Sequence, residues 1–174
     1  MGENLANGGR ILNAGDDLHR ATAMFAHAHM REHQPTLSAA GQKLGLTICY
    51  EDAFGSSQLE VLREATLLIN VTNNAGYGNS TAPHQHLQIA RMRALEAGRY
   101  LVRAANDGIT AAIGPHGEIV ARLPQFQEAV LRAEVLPMTG LTPYARLGNY
   151  PVVIGAGLLL AVAVWRRRQG DAAR

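Results

Sequence analysis

The chain has 174 residues, 47% of them hydrophobic, and a formal net charge of +2; the length suits one domain with a real core or a smaller domain with an appendage, and the charge is too small to argue for nucleic acid. The basic balance sits at the end, since Arg166, Arg167, Arg168 and Arg174 fall in the last nine residues and the remainder is slightly acidic. A single cysteine, Cys49, excludes an internal disulfide and leaves a buried small hydrophobe, a cross-link between copies or a reactive thiol.

Met1 to Arg10 has no apolar core and does not read as a signal peptide. Asp17 to His33 is rich in alanine and histidine. His29 and His33 stand four apart with His27 two before, which would put one pair on a common helical face, but no carboxylate or thiol is spaced to complete a metal site. Residues 1–33 therefore read as an atypical segment, weakly helical or disordered.

The chain turns through Pro35 and Gly41, and a strand is expected from Leu44 to about Tyr50. It drives into Cys49, which is followed by the acid pair Glu51-Asp52 and by Gly55. Such a strand delivers a nucleophile to a turn at the sheet's edge. Ser56 or Ser57 is expected to cap a helix with Leu59, Leu62 and Ala65 at helical spacing. Thr66 to Thr72 is a nearly continuous apolar run, the mark of a strand covered on both faces. Strand, helix and strand in about 30 residues suggest an α/β sheet.

Asn73 to Ser80 has the glycines and asparagines of a loop. Pro83 opens a helix to about Gly98 with Leu87, Ala90, Ala94 and Leu95 on one side and Glu96 placed to pair with Arg93 or Arg99. Strands are expected at Tyr100–Ala105, Thr110–Ile113, Ile119–Leu123 and Glu128–Val135. Gly114 to Glu118 has the residues of a tight hairpin turn, which makes the sheet mixed.

Tyr150 to Trp165 is 16 residues without a charge, and extension to Leu147 gives 19, about 28 Å of helix against a hydrocarbon core of about 30 Å. Tyr150 and Trp165 bracket the run and Arg166 to Arg168 follow, so residues 147–165 read as a transmembrane helix and 166–174 as a basic tail. The arginines place the C-terminus in the cytoplasm and residues 1 to about 146 across the membrane. No earlier span carries that domain over, so either a tail anchor or the end of a longer membrane protein is expected.

The motifs Thr47-Ile-Cys49-Tyr50-Glu51, Thr72-Asn73-Asn74-Ala-Gly-Tyr-Gly78, Gln85-His86 with Ala90-Arg91-Met92-Arg93-Ala94-Leu95-Glu96, Asn106-Asp107-Gly108-Ile109-Thr110, Gly114-Pro115-His116-Gly117 and Gly140-Leu-Thr-Pro-Tyr-Ala-Arg146 occur in this order. From about Gln34 to Arg168 the chain resembles the C-terminal part of the bacterial apolipoprotein N-acyltransferases, membrane enzymes with a nitrilase-like (carbon–nitrogen hydrolase) domain. The resemblance implies an α/β fold: residues 34–146 form part of an α-β-β-α sandwich with a mixed sheet, followed by one C-terminal transmembrane helix. It places this domain on the periplasmic side of the inner membrane. It also implies a Glu-Lys-Cys catalytic set in which Cys49 is the nucleophile, with Tyr50 and Glu51 shaping the site and no cofactor or metal. The implied partners are a phospholipid acyl donor and the N-terminal diacylglyceryl-cysteine of an apolipoprotein, acylated through a cysteine thioester.

A free thiol with a pKa of about 8.5 is only a few per cent ionised at pH 7 and needs a neighbouring base or cation, and a tetrahedral oxyanion needs donors. The family's base glutamate and its lysine lie upstream of the cysteine. Here the only lysine is Lys43, six residues before Cys49 on the same expected strand, and it reads as a surface residue; Glu3 and Glu32 have no family context. Gly76 stands where the family usually carries tryptophan. Residues 1–33 are thus expected to be a foreign start, from a truncated or frameshifted reading frame, and the isolated chain to be nearly inactive. Two further readings stay open: a tail-anchored nitrilase-type amidase, and a non-catalytic membrane-anchored remnant.

Overall fold

A computed structural model describes residues 36–172, so the reading of residues 1–33, with its histidine cluster, lies outside the described residues. Six strands form one mixed sheet in sequence order: β1 (Leu37–Ala39), β2 (Gln42–Ile48), β3 (Leu67–Asn73), β4 (Leu101–Asn106), β5 (Ala111–Ile113) and β6 (Ile119–Arg122). β2, β3 and β4 run parallel, and the other neighbours pair antiparallel. The carboxyl ends of the three central strands therefore open on one edge, and Cys49 is the first residue beyond β2 there.

Strand alternation sorts the central residues onto two faces. Leu44, Leu46, Leu67, Ile69 and Ala112 share one face with Val102. On the other, Gly45, Leu68, Leu101 and Ile113 form one cross-strand row, and Thr47, Asn70 and Arg103 form the next row toward the carboxyl edge. The second face thus changes from apolar to polar as it approaches Cys49.

Helix α1 (Ala82–Ala97) covers this second face. Pro83 sits in its first turn, where a missing N–H costs nothing. Leu87, Ala90, Ala94 and Ala97 are buried at helical spacing, and the three alanines let the helix lie close to the strands. Leu95, expected on the packed side, is 45% exposed, because it lies about 100° around the axis from Ala94. The helix stops at Gly98, whose φ of +60° is open to glycine without a Cβ penalty and whose N–H caps Ala94 and Leu95.

Two further expectations are corrected. The segment after Ser56 is not an α-helix but a chain of 3-10 turns at Cys49–Ala53, Gly55–Gln58 and Val61–Arg63. It must retrace the length of β2, about 23 Å, before Thr66 N–H bonds back to Lys43 O. A 3-10 turn rises about 2.0 Å per residue against about 1.5 Å for an α-helix, so the tighter coil covers more distance. Leu62 and Ala65 are still buried as their spacing suggested. Glu128 to Val135 forms no strand either. Leu131, Ala133 and Val135 lay their side chains across the first face of the sheet instead, so alternation here reflects packing over strands rather than pairing beside them.

The Gly114–Glu118 hairpin forms as expected, closed by Gly117 N–H to Gly114 O and Gly114 N–H to Glu118 O. The short helix α2 (Pro143–Leu147) packs Ala145 into the core beneath α1, and α3 (Tyr150–Ala172) follows after a break at Gly148. From Tyr150 to Gln169, α3 is long and apolar enough to cross a membrane, and none of that stretch is buried against the domain. It is consistent with the expected transmembrane helix. Among the described residues there is one sheet with a helix on one face, so the second half of a four-layer sandwich is not among them.

Candidate active site

Cys49 ends the β2 run with φ +52°, a left-handed conformation that costs a residue bearing a Cβ about 1–2 kcal/mol. Such strain persists only where the surroundings fix it, and the surroundings here are specific. The carbonyl oxygen of Cys49 accepts from Asn70 Nδ2 at 3.1 Å and from His86 Nε2 at 3.2 Å. Its side chain is half-buried.

The next two residues shape the turn. Glu51 Oε2 accepts the Ile48 N–H at 2.8 Å, tying the turn back to the end of the strand. Tyr50 is 54% exposed and lies edge-on to Phe54, with its ring centroid 5.8 Å from that of His86. Tyr50 and Phe54 thus present an apolar rim beside the cysteine.

Beneath the turn is a buried polar network. Asp52, the second residue of the acid pair, turns inward and is fully buried; its carboxylate meets His86 Nε2 at 2.9 Å and Arg103 Nη1 at 3.4 Å. Arg103, also fully buried, donates to Asn70 Oδ1 at 2.7 Å and to Asn74 Oδ1 at 3.3 Å. Asn70 in turn reaches Thr47 Oγ1 at 3.0 Å. Burial pushes the Arg103 guanidinium below its ordinary pKa, and the Asp52 carboxylate and then Cys49 pull it back up. An arginine stays charged under such conditions, so Asp52 and Arg103 form a buried ion pair.

The sequence motifs come together unevenly. Cys49, Tyr50 and Glu51 share the turn, and Asn74 and His86 close on it from the β3 edge and from α1. Lys43 does not join them: it lies near the start of β2, half-exposed, with Nζ 3.7 Å from Glu64, and six strand residues set it about 20 Å from the cysteine. At Gly76, in a 3-10 turn at Ala75–Tyr77, an added Cβ would meet nothing within 4 Å. The roles of Asp52, Asn70 and Arg103 escaped the sequence reading. The signal was an asparagine and an arginine inside otherwise apolar strand runs, since a charge inside such a run is buried only when paired. A separate cleft of about 750 Å³ lies at the foot of α3, between Ser56, Leu59, Arg63, Arg146, Tyr150 and Val153, and does not include the cysteine.

Cys49 thus sits in a strained, carbonyl-anchored turn at the carboxyl edge of an α/β sheet, and comparison with known proteins identifies the family. The chain belongs to the carbon-nitrogen hydrolase family, which it matches over residues 12–144. It is similar to the apolipoprotein N-acyltransferase of Chromobacterium violaceum, 49% identical over 138 residues that cover 78% of this chain and 27% of that protein. It is also similar to that of Ralstonia nicotianae, 50% identical over 145 residues covering 80% and 28%. The chain thus spans 27% to 28% of the length of these curated relatives. Among solved structures, Saccharomyces cerevisiae Nit3, a member of branch 10 of the nitrilase superfamily, superposes with a TM-score of 0.53 at 24% identity over 62% of this chain and 42% of Nit3. A carbon-nitrogen hydrolase from Helicobacter pylori gives 0.50 at 21% over 60% and 44%. These two likenesses carry the nitrilase-like fold alone.

Proposed function

We propose that this chain carries the nucleophile of an N-acyltransferase acting on lipoproteins at the bacterial inner membrane, with residues 34–146 on the periplasmic side and the C-terminus in the cytoplasm. The observation that carries the reading is Cys49, held in a left-handed turn with its carbonyl gripped from two sides, in a chain whose curated relatives are named for this activity. Helix α3 supports it, because a lipid-acting site needs to stay at the bilayer.

In the first half-reaction the Cys49 thiolate attacks the ester carbonyl of a phospholipid. A sulfur–carbon bond forms, the carbon–oxygen bond to glycerol breaks, and the lysophospholipid alkoxide takes a proton as it leaves. In the second, the amine of an N-terminal diacylglyceryl-cysteine attacks the thioester, an amide forms and the thiol is regenerated. Tyr50 and Phe54 provide the apolar rim for the acyl chain and Glu51 holds the turn. Among the described residues Lys43, paired with Glu64, is too remote to donate to an oxyanion at Cys49, and a missing oxyanion donor costs about 10² to 10³ in rate, so turnover resting on these residues alone is slow.

The test supplies a phospholipid with an alkyne-tagged acyl chain and a synthetic diacylglyceryl-cysteine peptide to membranes that express the whole reading frame. Tagged amide on the peptide, lost in Cys49→Ala, is the expected result. Transfer that survives Cys49→Ala sinks the assignment.

A further inference from the structure

Two side chains outside the proposed nucleophile's own turn close on its backbone, and their orientation is dictated from one residue. Arg103 has only donors. Its Nη1 bond to Asn70 Oδ1 therefore turns the Asn70 amide NH₂ toward Thr47 Oγ1 and the Cys49 carbonyl. Its Nη2 bond to Asn74 Oδ1 turns the Asn74 NH₂ toward His86 Nδ1, 3.4 Å away. Nδ1 then accepts, and the ring proton sits on Nε2, shared between Asp52 Oδ1 and the Cys49 carbonyl. One buried guanidinium thus aims both donors that hold a single carbonyl.

A trans peptide is planar, with its C=O and N–H pointing in opposite directions. A Cys49 carbonyl held in the buried network therefore keeps the Tyr50 N–H turned away from it. We propose that Asn70 and His86, directed by Arg103, are positioning residues that lock the Cys49–Tyr50 peptide plane, so that the Tyr50 N–H stands ready for the oxyanion formed when an acyl group reaches Cys49. This rests on the reading of Cys49 as an acyl acceptor.

The test compares two reactions of the same thiol in the full 174-residue chain in detergent micelles. With p-nitrophenyl butyrate the sulfur attacks the ester carbonyl, passes through an oxyanion and expels p-nitrophenolate, the thiol proton going to solvent. With iodoacetamide the sulfur displaces iodide and no oxyanion forms. Both need the thiolate, so their rate ratio cancels any change in thiol ionisation.

His86→Leu, and His86→Asn, whose amide is too short to reach the carbonyl, should lower the acylation-to-alkylation ratio about 10-fold or more, as should Asn70→Ser, on the scale of a displaced oxyanion donor. His86→Gln, which restores a long N–H donor, should return the ratio to within about 3-fold of wild type. Ratios unchanged in His86→Asn and Asn70→Ser, or a His86→Gln no better than His86→Asn, would overturn the proposal. The polar variants keep the comparison available if His86→Leu does not fold. A wild-type Cys49 that alkylates but is never acylated fails the acyl-acceptor reading itself and the proposal with it.

Discussion

Asn70 stands directly across from Thr47 in the sheet and holds the Cys49 carbonyl at 3.1 Å while accepting from Arg103 at 2.7 Å. Its bond to Arg103 is shorter than the 3.4 Å between Arg103 and Asp52, so the amide and not the carboxylate is the guanidinium's closest partner. The sheet and the nucleophile's turn are joined through this one side chain.

Removing the guanidinium should therefore be costly. Arg103→Met leaves Asp52 buried without its cation and strips donors from Asn70 and Asn74, and a broken buried pair costs about 3–5 kcal/mol. Urea denaturation should show a loss of that size, and Asp52→Asn combined with Arg103→Met should lose less than the two single changes added. A single-variant cost below about 1 kcal/mol would mean that the network is slack.

The strain at Cys49 has its own signature. With φ at +52°, Cys49→Gly relieves the Cβ conflict and Cys49→Ala keeps it. The glycine variant should be the more stable by about 1 kcal/mol, the reverse of the order in an ordinary strand or helix. Paired thermal melts check this directly.

Glu96 provides a pH test. Burial raises its carboxyl above the ordinary 4.5, and Arg93, with Nη1 3.0 Å from Glu96 Oε2, pulls it part of the way back. A raised acid pKa means that the native state binds the proton more tightly than the unfolded state. Its contribution is then most favourable below pH 4.5 and declines as pH rises through the folded value. Melting temperatures of wild type and Glu96→Gln, measured from pH 4 to pH 7, should diverge in favour of the glutamine as pH increases; parallel curves would count against it.

Helix α3 should be sensitive to charge at its centre. Leu159 is 74% exposed in a helix that makes no buried contact over its apolar length, so Leu159→Arg has no packing to disturb in water. In a bilayer the same change costs about 2.5–3.5 kcal/mol by insertion measurements. Membrane fractionation should show reduced integration of Leu159→Arg and normal integration of Leu159→Ile.

Much of this was legible in the residues. The run from Leu67 to Val71, the glycine-ended helix under Pro83 and the Gly114–Glu118 turn each follow from local rules that the tertiary structure does not override. The 3-10 path after Ser56 was not, because the length to be retraced along β2 decides it and no local pattern records that distance. Segment 128–135 alternates like a strand although it has no partner strand. At the site, Cys49 stood out by its position before an acid pair. Asp52, Asn70 and Arg103 did not, because their meaning lies in a cross-strand row that exists only once register brings positions 47, 70 and 103 side by side.

Single-turnover labelling decides whether Cys49 accepts an acyl group. The chain is incubated in phospholipid vesicles and its peptides are weighed by mass spectrometry, which detects one acylation event even where turnover is slow. The expected result is an acyl mass added to the peptide containing Cys49, removed by neutral hydroxylamine as a thioester should be and absent from Cys49→Ala. An unmodified Cys49 peptide, or an equal adduct in Cys49→Ala, would contradict it.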